Sequence, residues 1–168
     1  MPQITLVLHN IRSTHNVGSI FRTAEGFGVN KIICSGYTPY PHIKNDTRLP
    51  HIYEKITKQI HKTALDAEEL VMFEYIEDIT QWLKIYNAPV VALEQHEHSV
   101  SLYDFVAPSE FALFLGEEVD GINNELLGAC ESIIEIPMIG KKESFNVSVA
   151  TGIALSHLSR DRGRYHTK

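Results

Sequence analysis

The sequence predicts an α/β protein: a mostly parallel sheet with helices on both faces. Three observations point there. Short apolar runs with strand character recur at residues 4–8, 31–34, 72–75, 89–93, 111–115 and 133–136. Segments of helical character separate most of them, and strands that alternate with helices pair in parallel through helical crossovers. At 168 residues, 43% of them hydrophobic, the chain can bury a full core and lies near the usual size of one domain, so residues 1–168 are expected to form one.

The opening run, residues 4–8, is apolar and partly β-branched, as a strand covered on both faces requires. A polar loop follows, then a helix over 17–27 that Gly28 ends. The second strand leads into a long loop over 36–50 carrying Pro39, Pro41, His42, Lys44 and Arg48, and loops of that length are usually functional or mobile. Further helices are expected over 64–71, 79–86, 124–131 and 147–160. A glycine- and lysine-bearing loop over 137–144 precedes the last of these. Small residues Ser148, Ala150, Gly152 and Ala154 in that last helix suit close packing against another backbone.

Several classes are excluded. No run of eighteen apolar residues occurs, and the opening MPQITLVLHN lacks the basic start and small-residue cleavage site of a signal peptide. A soluble, cytoplasmic protein without membrane contact is expected. Cys34 and Cys130 form no CxxC pair and read as buried free thiols. The phosphate cradles GxxxxGK[ST] and GxGxxG are missing, as are GxSxG and HExxH. His96 and His98 flank Glu97 with no third ligand nearby, so no metal is expected.

The net charge of −6 argues against a polyanionic partner, but its distribution argues otherwise. Residues 1–65 carry eight Lys/Arg against three Asp/Glu, residues 66–135 one against sixteen, and residues 136–168 six against two. Two basic chain ends therefore flank an acidic middle, and both ends are expected to fold onto one RNA-facing side.

Three polar clusters stand at the ends of expected strands. The first runs from Asn10 through Arg12, Asn16, Gly18 and Arg22 to Gly28, with Asn16 a candidate helix cap. The second is Leu115-Gly116-Glu117-Glu118-Val119-Asp120-Gly121, a strand entering a turn at the edge where open α/β sheets bind ligands. The third runs from Ile136 through Met138, Lys141, Lys142, Ser144, Phe145 and Asn146 into the last helix, which Ser144 or Asn146 would cap.

In this order the clusters resemble the three signature motifs of the TrmH (SpoU) family of SPOUT RNA methyltransferases: NVGSIFRTAEGFG, FLGEEVDGI and IPM…SFNVSVATGIAL. Phe145 departs from the leucine usual at its position, a change expected to alter only packing at the cofactor. The resemblance implies a C-terminal deep trefoil knot, S-adenosylmethionine as cofactor, a homodimer, and methyl transfer to a ribose 2′-hydroxyl of tRNA or rRNA. It places the cofactor among Leu93, Glu94, Leu115, Gly116, Glu117, Ile136, Met138, Phe145 and Asn146. By the same resemblance Asn16 orients Arg22 or the ribose, Glu118 fixes the active-site loop, and Ser144 and Asn146 hold the ribose and the cofactor end. Arginine keeps its proton in proteins, so Arg22 is read as stabilising a forming oxyanion or holding a phosphate, not as a free base. Arg12, Arg48, Lys141, Lys142, Arg162 and Arg164 are expected on phosphates. The chain lacks the extensions some family members use for docking, which favours tRNA over rRNA. Two other readings remain open: a catalytically silent RNA-binding protein of the same fold, and a flavodoxin-like nucleotide binder.

Overall fold

The computed structural model describes residues 2–160. The elements run β1 (Gln3–His9), α1 (Thr14–Gly26), β2 (Lys31–Ser35), α2 (Pro50–Ala64), α3 (Ala67–Leu70), β3 (Phe73–Ile76), α4 (Ile79–Ile85), β4 (Val90–Leu93), β5 (Val100–Ser101), β6 (Glu110–Leu115), α5 (Asn124–Leu127), β7 (Ser132–Glu135) and α6 (Val147–Leu158). The strands form one sheet in the order β3-β2-β1-β6-β4-β7-β5, and every pairing is parallel. The predicted α/β class and parallel sheet are what the chain forms.

The alternation of side chains along each strand explains why the runs read as continuously apolar. In β1, Leu6 and Leu8 join the core under α1, α2 and α6, while Val7 between them joins a second core with Ile79 of α4 and Leu126 and Leu127 of α5. Ile32 and Cys34 face the first core and Ile33 the second. Both faces are covered, so no strand needs a polar side. Burial pushes the Cys34 thiol up to about 12 and the half-buried Cys130 thiol up to about 11, and both are free.

Local differences from the sequence reading have physical causes. The helix expected over 64–71 divides, because Leu65 and Asp66 both take left-handed backbone (φ 50° and 72°) and end α2 before α3 begins. The longer helix α2 was not expected, although Pro50 at its start and Ile56, Ile60 and Ala64 at four-residue spacing are its signature. The helix expected over 124–131 stops at Leu127. The two-residue β5 adds an edge strand on β7. Among the described residues no helix is long and apolar enough to cross a membrane.

Candidate functional site

A parallel sheet gathers all its carboxyl ends at one edge, and the three polar clusters meet there. A cavity of about 310 Å³ opens between Leu93–Gln95 after β4, residues 115–121 after β6, Glu135 and Ile136 at the end of β7, and Glu143, Ser144, Phe145, Val147 and Ala150 leading into α6. Apolar walls come from Leu93, Leu115, Ile136 and Phe145. Six acidic residues also line it, Glu94, Glu117, Glu118, Asp120, Glu135 and Glu143, and no Lys, Arg or His stands among the described lining residues.

The turn after β6 is folded back on itself. Glu94 holds it from across the cavity, accepting the Ile122 N–H and the Gln95 N–H at 2.9 Å each. Gly116 is required by that fold: a Cβ there would come within 2.5 Å of Ile122 Cγ1 and 2.8 Å of the Gly121 backbone.

The cap of α1 differs from the expectation in a way that matters. Ser13, not Asn16, is the N-cap, its hydroxyl accepting the Asn16 N–H at 3.2 Å. The Asn16 side chain is thereby free for the site. Its amide donates to Glu118 Oε1 at 3.0 Å, and its oxygen accepts from Asn146 Nδ2 at 3.2 Å. Asn146 in turn caps α6, accepting the Ser148 N–H at 3.0 Å and its hydroxyl at 2.7 Å. One hydrogen-bonded line, Glu118–Asn16–Asn146–Ser148, thus ties together residues far apart in sequence.

Glu118 also accepts the Arg12 N–H at 3.1 Å and the Ser13 N–H at 3.4 Å. Burial alone would lift its carboxyl, but these donors and the Asn16 amide outweigh burial and leave it below its ordinary value. The neighbouring Glu117 is ion-paired with the Arg12 guanidinium, against which the Tyr37 hydroxyl also lies.

The other predicted residues fall as follows. Arg22 is exposed on α1, and among the described residues no acceptor engages its guanidinium. Ser144 is exposed and lines the cavity, and Phe145 lines it at 41% exposure. Met138 is half-buried outside the lining, and Asn146 reaches the site through Asn16, not through the cavity wall. Lys141 and Lys142 are exposed on the loop before α6. Arg48 corrects the expectation of a phosphate contact. Its fork holds Asp46 Oδ1 at 2.8 Å and Oδ2 at 2.5 Å and the carbonyls of Tyr40 at 3.0 Å and Pro41 at 3.2 Å, while it stacks 3.7 Å over the Tyr40 ring. Four of its donations are consumed inside the 36–49 loop, so it holds that loop closed. Arg162 and Arg164 lie outside the described residues. Ser13, Gln95, Glu135, Val147 and Ala150 were not predicted. For Ser13 the signal was there: a serine three residues before Asn16 is a cap pattern.

The sequence pattern of the SpoU rRNA Methylase family matches residues 3–156. The chain belongs to that family. Among SpoU relatives, it is 29% identical to the 23S rRNA (guanosine-2′-O-)-methyltransferase RlmB of Neisseria meningitidis, over 96% of this chain and 60% of the relative. It therefore spans about three-fifths of the length of such relatives. Its fold is similar to that of the A. aeolicus TrmH/SpoU tRNA modifying enzyme, with a TM-score of 0.78 at 24% identity over 97% of this chain and 77% of that one. It is likewise similar to an AdoMet-bound rRNA methyltransferase from Sinorhizobium meliloti, with a TM-score of 0.76 at 23% identity over 92% of this chain and 55% of that one.

Proposed function

We propose that the protein transfers a methyl group from S-adenosylmethionine to a ribose 2′-hydroxyl in RNA, with the cavity at the carboxyl edge of the sheet holding the cofactor. The observation that carries the reading is that two of the family motifs wall the cavity and the first is tied to them by the Glu118–Asn16–Asn146 line. The wall suits the cofactor chemically. Leu93, Leu115, Ile136 and Phe145 offer apolar surface for an adenine, and acidic lining residues in excess of Arg12, the cation paired with Glu117, suit a positively charged ligand.

When bound, S-adenosylmethionine supplies an electrophilic methyl group on a sulfonium. The chain must align the ribose oxygen with it and favour alkoxide character on a weakly acidic hydroxyl. Asn16, held from both sides by Glu118 and Asn146, is oriented for the first task, and Ser144 on the cavity wall is assigned to hold the ribose. Arg22 is assigned the second, because a free guanidinium stabilises a forming oxyanion or grips a phosphate that takes the proton.

Arg22 lies six residues beyond Asn16, and at about 100° per residue the helix turns its side chain about 120° away from Asn16. Within one chain the two do not share a face. The residue after Arg22, Thr23, turns its methyl toward Gly152 on α6, so α1 packs beside α6 while the Arg22 side chain is exposed. Gly152 helps line a groove of about 540 Å³ of mixed polarity with Tyr103, Val149, Ile153, Ser156, His157 and Arg160. A second copy seated in that groove would bring Arg22 of one chain toward the site of the other. The homodimer proposed here uses the Val149–Ile153 face of α6; Ala154, expected from its size to serve a contact, is wholly buried in the protein's own core.

The knot belongs to the same proposal: the segment between β7 and α6 passes through a loop formed by the preceding chain. The relatives named for 23S rRNA support rRNA over tRNA as substrate, which shifts the expectation from chain length. A cytoplasmic location and a single domain complete the reading. Mapping ribose methylation in cells lacking the gene tests it, and a lost 2′-O-methyl mark in rRNA is the expected result. A lost mark in tRNA would correct the substrate, and no lost ribose mark would overturn the reading.

A further inference from the structure

Tyr37 is held at its backbone and at its hydroxyl while half of it stays in solvent. It follows Gly36, whose φ is 62°, and Asn10 opposite also takes left-handed backbone at 60°, a region asparagine enters more readily than most residues but still at a cost. The two are matched: Asn10 Oδ1 accepts the Tyr37 N–H at 3.2 Å, and a Cβ on Gly36 would lie 1.9 Å from that oxygen. The Tyr37 hydroxyl lies against the Arg12 guanidinium and the Glu117 carboxylate. Backbone and hydroxyl are therefore fixed, yet the residue is 51% exposed. A ring pinned at both ends with its face in solvent is a preorganised flat surface.

Its position is specific. Arg12 donates its backbone N–H to Glu118, and Glu117 lines the cavity, so the ring stands on the rim beside the Glu118–Asn16 pair. The other exposed aromatics serve elsewhere: Tyr103 packs edge-on to His157 in the α6 groove, and Phe145 walls the cavity. We propose that Tyr37 is a positioning residue that stacks on the base of the nucleotide whose ribose is methylated, while the exposed Arg12 beside it takes a flanking phosphate. The inference rests on the RNA reading above.

Base stacking on an aromatic ring is worth about five- to a hundredfold in affinity and tolerates any base. The test uses the full chain with saturating S-adenosylmethionine and two labelled probes: a ten-residue oligoadenylate and an abasic ribose-phosphate chain of the same length. Wild type is expected to prefer oligoadenylate by that factor, and Tyr37→Ala to lose the preference. Tyr37→Phe, which keeps the ring, should stay within about threefold of wild type. On total RNA from a deletion strain, Tyr37→Ala should raise KM with kcat nearly unchanged and calorimetric cofactor affinity intact. An unaltered preference in Tyr37→Ala overturns the proposal. So does a Tyr37→Phe protein as impaired as Tyr37→Ala, since the residue would then act only through its hydroxyl on Arg12. Wild type binding neither probe would overturn the RNA reading itself, and the stack with it.

Discussion

Two polar loops leave the same edge of the sheet and use their charges in opposite ways. In the 36–49 loop, Arg48 and Asp46 satisfy each other and Arg48 also holds neighbouring carbonyls, with the Asp46 side chain only 1% exposed. At the active-site edge, Lys141 and Lys142 face solvent, Arg22 on α1 has no acceptor among the described residues, and the partly exposed polar line of Glu118, Asn16 and Asn146 serves to aim side chains. The first arrangement is a closed structural unit and the second is left open toward a ligand. A basic residue in a loop therefore says little until its partners are known.

The largest expected effect breaks the open region. Arg22→Ala should lose methyl transfer by about two to three orders of magnitude, the usual range for one oxyanion-stabilising donor, while keeping the fold and the cofactor affinity by calorimetry. Arg22→Lys should rescue little, because an ammonium lacks the planar fork. If Arg22 acts on the site of a second copy, mixing Arg22→Ala with Asn16→Ala should restore activity that neither shows alone. Absence of such rescue, with dimers confirmed by light scattering, would return both residues to one chain.

Gly116→Val sharpens the same region from its floor. The added side chain meets Ile122 and the Gly121 backbone, so the turn must shift. Calorimetry should show cofactor affinity falling by about tenfold or more, with the fold retained by circular dichroism. Unchanged affinity would separate this turn from the cofactor pocket.

Arg48→Ala tests the closed region by contrast. It leaves a buried carboxylate without its counter-ion, so stability to urea should fall by about 3 kcal/mol. RNA affinity and its salt dependence should stay as in wild type, since no phosphate contact is lost. A salt slope reduced by about one unit would restore Arg48 to the RNA surface.

The smallest effect is on pH. Glu118 sits below its ordinary value when folded, so its contribution is present above the unfolded carboxylate range near about pH 4 and is lost as pH falls through the lower folded value. The thermal midpoint of wild type should drop more steeply in that acid range than that of Glu118→Gln, as followed by circular dichroism. Parallel curves would deny Glu118 its part in the line.

The fold was legible because buried parallel strands are apolar throughout, and the cavity turns were legible because GEEVDG and SFN keep their order after the strands that present them. What sequence hid was pairing. Nothing local says that Ser13 takes over the cap and frees Asn16, or that Arg48 closes on Asp46 two residues away instead of reaching outward. Helix α2 was missed because its apolar positions are sparse and follow a proline-bearing loop. The carboxylate of Glu135 joins the cavity only through the placement of β7 beside β4, which no nearby residue announces.

The most direct test of the account is the chemical identity of the product. Total RNA from a strain lacking the gene would be incubated with the protein and tritiated S-adenosylmethionine, then digested to nucleosides and separated. Label in a 2′-O-methyl nucleoside is the predicted result, with the signal abolished in Arg22→Ala. Label on a base, or full incorporation by Arg22→Ala, would contradict the mechanism assigned to this site.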